Sequence, residues 1–389
     1  MIRVALLMLP ETGHLLPTFQ LARELSAAGH HITYLAPPSL TALVAAYGFN
    51  TVAISFQEYR GEHSIRYRLE QISPDLLLLD EPFFVGIRLM KIVSALDIAC
   101  LCVNSALPNE CRGKFPLPPN TTHIVPNRSF TNRLQIRLSW GKVLAVRYWH
   151  YLRTGLYTRL PRLYDKKPEL VFCSKHIDFD RADCSSRHYL GPSICLIRPE
   201  QSFPWQLLRE SATLVYCSFG TQSHKQSSLV TLLTRLIEAV SLGNNEQLVI
   251  SVDELTTQAL GSVPSSVIIV SSAPQLLLLQ RAAVAVIHGG LGGIKECIFM
   301  GVPMVVVPQL WDQPGNAARV EYHGLGTRCV KSAPSARELR QLLDFAQAAD
   351  IRNNISIMRR RFQQEQDAAA GASIVERYHH DAISSQRRS

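Results

Sequence analysis

The chain has 389 residues, of which 47% are hydrophobic and 18% are charged, with 40 Lys and Arg against 31 Asp and Glu. This length suits two or three domains, and no apolar run reaches the roughly 18–20 residues that span a bilayer. The first residues lack a small-residue cleavage site, and the nine cysteines include no Cys-x-x-Cys pair. We therefore expect a cytoplasmic protein with reduced thiols and no metal site.

The positive charge is concentrated in one interval of the chain. The formal net charge is +9, yet no acidic residue lies between Glu110 and Asp165. The interval contains Arg112, Lys114, Arg128, Arg133, Arg137, Lys142, Arg147, Arg153, Arg159 and Arg162. The rest of the chain is close to neutral, so this local patch indicates an anionic surface or partner.

The first half of the chain alternates strand and helix patterns, which is typical of a doubly wound α/β domain. Apolar runs predict parallel-sheet strands at residues 2–9, 30–36, 48–54, 76–79 and 99–103, and shorter ones at 169–173 and 193–196. Helical spacing predicts a helix at 17–28, and another starts at Pro37. His14 lies in the first strand-to-helix loop, at the edge where such sheets bind ligands, and Asp80 ends the fourth strand. The alternatives are a plain loop histidine and a capping aspartate.

Residues 128–163 mix arginines with apolar and aromatic side chains. Gly141, Gly155 and Pro161 are expected to divide this segment into short helices. A basic amphipathic helix with interfacial aromatics is typical of a membrane-surface contact, here with anionic lipid at the inner face of the membrane. The alternative is a solvated face whose apolar side covers a binding pocket, and the two can hold together.

The strand and helix pattern restarts after a segment rich in prolines and polar residues. We expect an N-terminal domain at residues 1–197, a linker at 198–212, a second doubly wound domain at 213–371, and a C-terminal helix at 372–389 that crosses back to the first domain. Strands of the second domain are predicted at 212–217, 247–251, 267–270, 284–287 and 304–307, and helices at 229–242, 294–300 and 335–365.

The stretch from Ser272 to Arg328 combines a strand, a glycine-rich turn, a helix and a second strand. The turn places the N–H groups of Gly292 and Gly293 at a helix N-terminus, which favours an anion such as phosphate. His288 ends the strand at the ligand-binding edge, and Glu296 on the first helical turn is placed to bind a ribose. Asp312 and Gln313 follow the next strand, where they could hold sugar hydroxyls. Since Lys295 replaces the last glycine of a GxGxxG motif, a dinucleotide oxidoreductase is disfavoured.

In order and spacing, this stretch resembles the donor-binding signature of the family 1 glycosyltransferases, the UDP-glycosyltransferases of the GT-B fold. The match comprises His288-Gly-Gly, Glu296, the run from Gly301 to Pro308, Asp312-Gln313 and Asn316. Among members, the bacterial zeaxanthin glucosyltransferases are most similar. The shared segments are Leu79-Asp80-Glu81-Pro82, Ser105-Ala-Leu-Pro108, and the run from Trp311 to Arg319 with its following Glu-Tyr-His-Gly.

The resemblance implies two Rossmann-like domains facing a cleft and a role for each matched residue. His14, in a segment similar to the family's GHxxP, would be the catalytic base, and Asp80 would orient it, with Glu81 able to take part of that role. Thr221 would meet the phosphate, and the Pro274 and Gln275 segment would contact the nucleobase. The remaining donor contacts would come from His288, Gly290, Gly292, Gly293, Glu296, Asp312, Gln313 and Asn316.

The implied activity is an inverting, metal-independent transfer of a hexose, with glucose favoured by Gln313. The donor would be a UDP-sugar, or alternatively a dTDP-sugar, with no separate cofactor. The acceptor would be a hydroxyl of a hydrophobic molecule such as a carotenoid or another lipid-like alcohol. A soluble polyketide or phenolic acceptor is one alternative, and a non-catalytic nucleotide-sugar-binding protein is another. No recognition motif supports nucleic-acid binding.

Two departures from the family pattern bear on the donor. Ser272 stands where plant members carry a tryptophan that stacks on the uracil, so the preference for one nucleotide is loosened. Gly292 and Gly293 stand where an Asn and a Ser or Thr usually help to hold the phosphate. We therefore expect backbone N–H groups and His288 to contribute more to phosphate binding here.

Overall fold

The computed structural model describes residues 1–55, 58, 62–80, 92–111, 115–154, 168–220, 228–331, 333–368 and 370–386, and the statements below concern these residues. Its first sheet has seven strands in the order β3-β2-β1-β4-β5-β6-β7, paired in parallel throughout. The strands are β1 (Arg3–Leu7), β2 (His31–Ala36), β3 (Asn50–Ala53), β4 (Leu76–Asp80), β5 (Ala99–Asn104), β6 (Glu169–Val171) and β7 (Arg187–Tyr189). The central strands are buried on both faces, which explains their continuous apolar runs.

Four helices connect the strands of this first half. They are α1 (Thr12–Leu15), α2 (Thr18–Ala27), α3 (Pro38–Ala46) and α4 (Glu62–Ile72). Helix α2 buries one face through Phe19, Leu21 and Leu25, as the predicted helical spacing requires. The short helix α1 carries His14 and follows β1 directly, so the first loop is largely a single helical turn.

One predicted strand is wrong and one observed strand was missed. Residues 193–196 are not a strand, because Ser193 adopts φ 48°, a left-handed conformation that interrupts an extended chain. Ile194 is nevertheless buried, and its backbone N–H and C=O both bond to the side chain of Gln366. The seventh strand is Arg187–Tyr189, whose polar, half-buried residues do not show the apolar pattern of a central strand.

The second sheet has six parallel strands in the order β10-β9-β8-β11-β12-β13. They are β8 (Thr213–Ser218), β9 (Glu246–Ser251), β10 (Val267–Val270), β11 (Val284–Ile287), β12 (Met304–Val306) and β13 (Gly326–Arg328). Apolar residues of this sheet pack against helices on both faces, in two separate core clusters. The two sheets thus repeat one doubly wound architecture in α/β layers.

The helices of the second half follow the chain as far as residue 386. After helix α5 (Phe130–Thr154), they are α6 (Leu229–Ser241), α7 (Glu254–Leu260), α8 (Gln275–Leu279), α9 (Leu291–Met300), α10 (Gln313–Tyr322), α11 (Ala336–Ala346), α12 (Ala349–Asp367) and α13 (Gly371–Gln386). Helix α13 packs on the core of the first sheet through buried Val375, and the Tyr378 hydroxyl donates to the Cys100 carbonyl at 2.7 Å. The end of the chain therefore contacts the sheet formed by its beginning.

The basic segment forms one long helix, α5 (Phe130–Thr154), and the predicted break at Gly141 is wrong. A glycine inside a helix costs only about 0.5–1 kcal/mol, which a helix of 25 residues can absorb. Buried Ile136 and Trp140, on the turn before Gly141, anchor the helix on Ile124. The breaks predicted at Gly155 and Pro161 lie outside the described residues. Along the part of the chain that the structure describes, no helix is long and apolar enough to cross a membrane.

Candidate active site

Each sheet reverses its winding direction at one place, and the predicted site residues follow these places. The first sheet reverses between β1 and β4, and the second between β8 and β11. Ligands of open α/β sheets bind in the crevice that this reversal opens at the carboxyl ends of the strands. His14 follows β1 and Asp80 ends β4, whereas Gly220 follows β8 and His288 follows β11. The strand order of each sheet therefore gathers one half of the candidate site at its own reversal point, and we call these two groups of residues the half-sites.

The structure brings His14 and Asp80 into direct contact. The Nδ1 atom of His14 lies 2.6 Å from Oδ2 of Asp80, whose side chain is 1% exposed, whereas that of His14 is 24% exposed. The Leu9 N–H donates to the same carboxylate oxygen at 3.0 Å. Because an ionised carboxylate only accepts hydrogen bonds, Nδ1 carries the proton and Nε2 is left as the basic nitrogen.

Ser105 is a third member of this half-site that the sequence analysis did not assign. Its hydroxyl oxygen lies 2.7 Å from Nδ1 of His14. Ser105 directly follows β5, the strand beside β4, so it reaches the same sheet edge as Asp80. The available signal was its position after a buried strand, which could have been found by applying the sheet-edge rule to β5 as well.

Opposing effects act on the pKa of His14. Burial lowers the pKa, but the hydrogen bond and charge of Asp80, together with the charges of Glu11 and Asp312, raise it above its ordinary value. Asp312 immediately precedes α10 in the second half of the chain. Because the charge of its carboxylate acts on His14, the two half-sites lie near each other.

His288 lies in a slot between two glycines. A Cβ on Gly220 would lie 2.8 Å from its Cε1 atom, and a Cβ on Gly290 would lie 2.5 Å from its Nε2 atom. Only glycine therefore leaves space for the imidazole on either side. Burial lowers the pKa of His288 and outweighs the opposing effect of a hydrogen bond with the Ser218 backbone, so the ring is neutral near pH 7. A neutral imidazole in this position can donate one hydrogen bond to a ligand.

The N-terminus of α9 opens beside His288. Gly290 is the N-cap residue, and Gly292 and Gly293 belong to the first helical turn. The first intrahelical bond runs from the Ile294 N–H to the Gly290 carbonyl, which leaves the preceding N–H groups unpaired within the helix. A Cβ on Gly292 would meet nothing within 4 Å. The helix end thus offers free donors and open space, a combination suited to an anion.

Glu296 lies in a buried polar network rather than at an open surface. Its Oε1 accepts from Nη2 of Arg198 at 2.6 Å, and its Oε2 accepts from the side chain of Gln275. The Tyr216 hydroxyl donates in turn to Gln275 at 3.0 Å. Glu296 and Gln275, both predicted to bind the donor, therefore have protein partners. Pro274 is the N-cap residue of the helix that begins at Gln275. Arg198 was assigned only to the linker, because its partner Glu296 is 98 residues away.

Asp312, Gln313 and Asn316 are held together at the N-terminus of α10. Oδ2 of Asp312 accepts from the Asn316 amide at 2.9 Å, and the same amide donates to the Gly289 carbonyl at 3.0 Å. Oε1 of Gln313 accepts from the backbone N–H groups of residues 309 and 310. Burial raises the pKa of Asp312. The three predicted residues thus adjoin His288 through Gly289.

The first half of the chain also contacts α10 directly. The Gly315 N–H donates to the Asn120 carbonyl at 2.8 Å, and a Cβ at Gly315 would lie 2.4 Å from that oxygen. One helical turn further on, the buried Arg319 bonds to Asp178 and to the Asn120 side chain. These contacts hold the two half-sites at a defined separation. Thr221 and Glu81 were also predicted to contribute, but they lie outside the described residues.

Comparisons with known proteins point to one class of enzyme. Residues 235–369 match the family described as "Erythromycin biosynthesis protein CIII-like, C-terminal domain". The chain is 22% identical to the NDP-glycosyltransferase YjiC of Bacillus subtilis, over 96% of this chain and 97% of that protein. It is 26% identical to a zeaxanthin glucosyltransferase of Pseudescherichia vulneris, over 71% of this chain and 67% of that protein.

Solved structures show the same architecture. The glycotransferase of kitacinnamycin matches with a TM-score of 0.72 at 23% identity, and the match covers 97% of this chain and 99% of that chain. The spinosyn rhamnosyltransferase SpnG complexed with thymidine diphosphate matches with a TM-score of 0.66 at 18% identity, covering 97% of this chain and 99% of that chain. These structures share the GT-B fold, with two parallel-sheet domains, and so confirm the predicted fold class.

Proposed function

We propose that the chain is a family 1 glycosyltransferase of the GT-B fold and that it acts as an inverting, metal-independent hexosyltransferase. It would transfer the sugar, glucose in the simplest case, from a UDP-sugar to a hydroxyl of a hydrophobic small molecule. The observation that carries this proposal is the His14 and Asp80 pair, which faces Asp312 across the cleft closely enough for the charges to interact.

In this mechanism, His14 acts as the general base. Nε2 takes the proton of the acceptor hydroxyl, and the oxygen forms a bond to the anomeric carbon on the face opposite the diphosphate. Asp80 stabilises the resulting imidazolium and, with Ser105, holds Nδ1 in place. A positioned base of this kind contributes typically ~10²–10⁴ in rate.

The leaving diphosphate takes the electron pair of the broken sugar–oxygen bond. The unpaired N–H groups of Gly292 and Gly293 and a hydrogen bond from His288 would stabilise its developing charge. Asp312 and Gln313 would bind sugar hydroxyls. The Nε2 donor of Gln313 is available for this because the backbone contacts described above use only its oxygen. Glu296 would accept from a ribose hydroxyl while Arg198 and Gln275 keep its orientation.

The replacement His14→Ala tests the base. We expect transfer from UDP-glucose to fall by at least ~10²-fold, while donor affinity stays close to that of the wild type, since His14 is not assigned to the donor. Mass spectrometry of products and calorimetric titration with UDP-glucose measure the two quantities. His31→Ala is the matched control, because His31 is an exposed histidine at the start of β2. Normal turnover by His14→Ala would refute the assignment.

A second candidate acceptor is a soluble polyketide, which would receive its sugar from a dTDP-sugar donor. It is favoured by an oleandomycin glycosyltransferase of Streptomyces antibioticus that is 23% identical over 96% of this chain and 90% of that protein. Parallel assays with carotenoid alcohols and macrolide aglycones, each with UDP- and dTDP-sugars, separate the two candidates by which pair yields product. A protein that only binds nucleotide-sugars would give no product and no donor hydrolysis in any assay.

A further inference from the structure

We infer that α5 docks on the surface of an anionic lipid bilayer through its outer face, which we define as Phe130, Leu134, Leu138, Ala145 and Trp149. These residues recur at spacings of four and seven, so they form one stripe along the helix. The exposed fractions are 80% for Phe130, 46% for Leu134, 60% for Leu138 and 59% for Trp149. Ala145 is exposed as well.

The opposite side of α5 is the one that holds the helix to the protein. Ile136 and Trp140 are 4% and 3% exposed, and they form a small core with Ile124. The Trp140 indole N–H donates to the Leu117 carbonyl at 2.7 Å. The helix therefore has two apolar faces, one packed on the protein and one turned to solvent. An apolar stripe of this size exposed to water indicates a partner.

Exposed cations flank the outer face. Arg137 and Lys142 lie beside the stripe, and Arg128 precedes the helix. The Arg133 guanidinium lies 4.3 Å from the ring centroid of Phe115, which is itself 54% exposed and adds a further apolar side chain nearby. A helix with cations beside apolar and aromatic side chains lies in the interface of an anionic membrane, where its apolar face enters the acyl boundary.

Charge decides between the candidate occupants. The interval from residue 111 to 164 contains ten Lys and Arg and no acidic residue. A symmetric contact with a second copy of the chain would place these cations against each other, which is unfavourable. A nucleic acid would satisfy the cations but would place phosphates against exposed Phe130 and Leu138. A bilayer with anionic headgroups satisfies both the cations and the apolar stripe.

The outer face is linked to the cleft by one segment of chain. Leu117 and Ile124, on which α5 packs, bracket Asn120, and Asn120 contacts Gly315 at the start of α10. Docking would therefore place the rim of the candidate active site near the lipid, where a hydrophobic acceptor is dissolved. This last step rests on the proposed function, whereas membrane docking itself does not.

The test is sedimentation of the full chain with phosphatidylcholine vesicles that contain or lack phosphatidylglycerol. Arg137→Gln with Lys142→Gln should lower the partition coefficient for anionic vesicles about 25-fold, since each cation near such a surface contributes about fivefold. Leu134→Gln with Leu138→Gln should lower it at least about tenfold through lost apolar burial. High salt should weaken binding of the wild type but change binding of the Arg137 and Lys142 variant less.

Matched controls lie on other exposed helices. Leu255→Gln, at a leucine that is 74% exposed, controls for the apolar change, and Arg360→Gln with Arg361→Gln controls for the charge. Neither control should change vesicle binding. All variants should keep the wild-type melting temperature and the same transfer rate to a water-soluble acceptor, so the result does not depend on the acceptor proposed above.

Four results would overturn the inference. The first is no binding of the wild type to anionic vesicles even in low salt, and the second is equal binding by the outer-face variants. The third is a wild-type dimer that the Leu134 and Leu138 variant converts to monomer without any effect of vesicles, since that result would identify a second copy as the occupant. Binding to duplex DNA in place of vesicles would likewise reject a lipid surface.

Discussion

The replacement Asp80→Asn addresses the core of the proposed mechanism with little change in shape. The Asp80 carboxylate lies 2.6 Å from His14 Nδ1 and is 1% exposed, so no solvent can substitute for it. An asparagine amide would present either a neutral oxygen or an N–H₂ group to Nδ1. The first does not stabilise the imidazolium, and the second forces the proton onto Nε2, which can then no longer act as a base.

The expected size of the effect follows from the lost charge. Two unit charges about 4 Å apart in a medium of effective dielectric ~20 interact by about 4 kcal/mol. At about 1.4 kcal/mol per tenfold, this corresponds to a loss of about 10³ in the transfer rate. The value lies within the range of ~10²–10⁴ that a positioned base contributes.

The pH dependence gives a second, independent readout. In the wild type, Asp80 and its neighbours hold the pKa of His14 above its ordinary value, so kcat/KM should rise with pH through that raised pKa as the imidazole loses its proton. Without the carboxylate, burial lowers the pKa, and the acid limb should move to lower pH while the plateau falls. The stability that the raised pKa provides, present in acid and lost as pH rises, should also disappear.

The measurement is a kcat/KM profile against pH with a fixed donor, supported by thermal unfolding in acid and at neutral pH. Asp75→Asn is the control, because Asp75 forms an ion pair with Arg3 at the surface, at the opposite end of β4 from Asp80. If the acid limb of Asp80→Asn coincided with that of the wild type, or if the plateau were unchanged, the pairing of His14 with Asp80 would have no catalytic role.

Three further predictions concern the second half of the site and the contacts around it. Gly292→Ala should raise the free energy of unfolding by up to about 1 kcal/mol, since alanine favours the helix. The same replacement should weaken UDP-glucose binding at least about tenfold, because the methyl group enters the space proposed for the diphosphate. Gly141→Ala, in α5, should raise stability alone, and equal titration curves for the two variants would contradict the donor site. Lys295→Met should lower stability at neutral pH by about 1–3 kcal/mol, because the Lys295 Nζ donates to the buried Phe172 carbonyl at 2.7 Å and methionine leaves that oxygen unpaired. It should also remove a rise in stability with pH, because burial lowers the pKa of Lys295 and the unfolded chain binds its proton more tightly. Urea unfolding at several pH values measures this, and a loss of several kcal/mol at every pH would show that the charged form is needed. Arg198→Met should lower the free energy of unfolding by about 3–5 kcal/mol, because it leaves Glu296 buried without its cation, whereas Arg198→Lys should lower it less. Thermal unfolding of the two variants measures this difference, and equal losses would indicate that packing rather than charge matters.

Local chemistry explains why much of the fold could be predicted. The central strands are buried on both faces, so their apolar runs are unbroken, and the strands at 267–270 and 284–287 were predicted with the bounds that the structure shows. Predictions failed where local signals were weak or overruled. The edge strand Arg187–Tyr189 is polar, and Gly141 stays helical because Ile136 and Trp140 anchor the helix around it.

The candidate site divides in the same way. The glycines around His288 could be recognised from sequence, because the turn and the helix N-terminus need them within a few residues of each other. The place of Ser105 at the sheet edge could be inferred, but its contact with His14, 91 residues away, could not, and neither could the contact of Arg198 with Glu296, 98 residues away. Nothing in a linear pattern states which distant side chain will complete a hydrogen bond.

The sequence by itself determined the strand and helix order, the glycine turn at His288 and the cationic character of residues 111–164, because each depends on neighbours along the chain. Only the tertiary structure decided that Asp80 and Ser105 share one nitrogen of His14, that Asp312 faces them, and that one side of α5 stays exposed. The winding of the sheets and the packing of the two halves set these arrangements, and both depend on contacts between residues far apart in the chain.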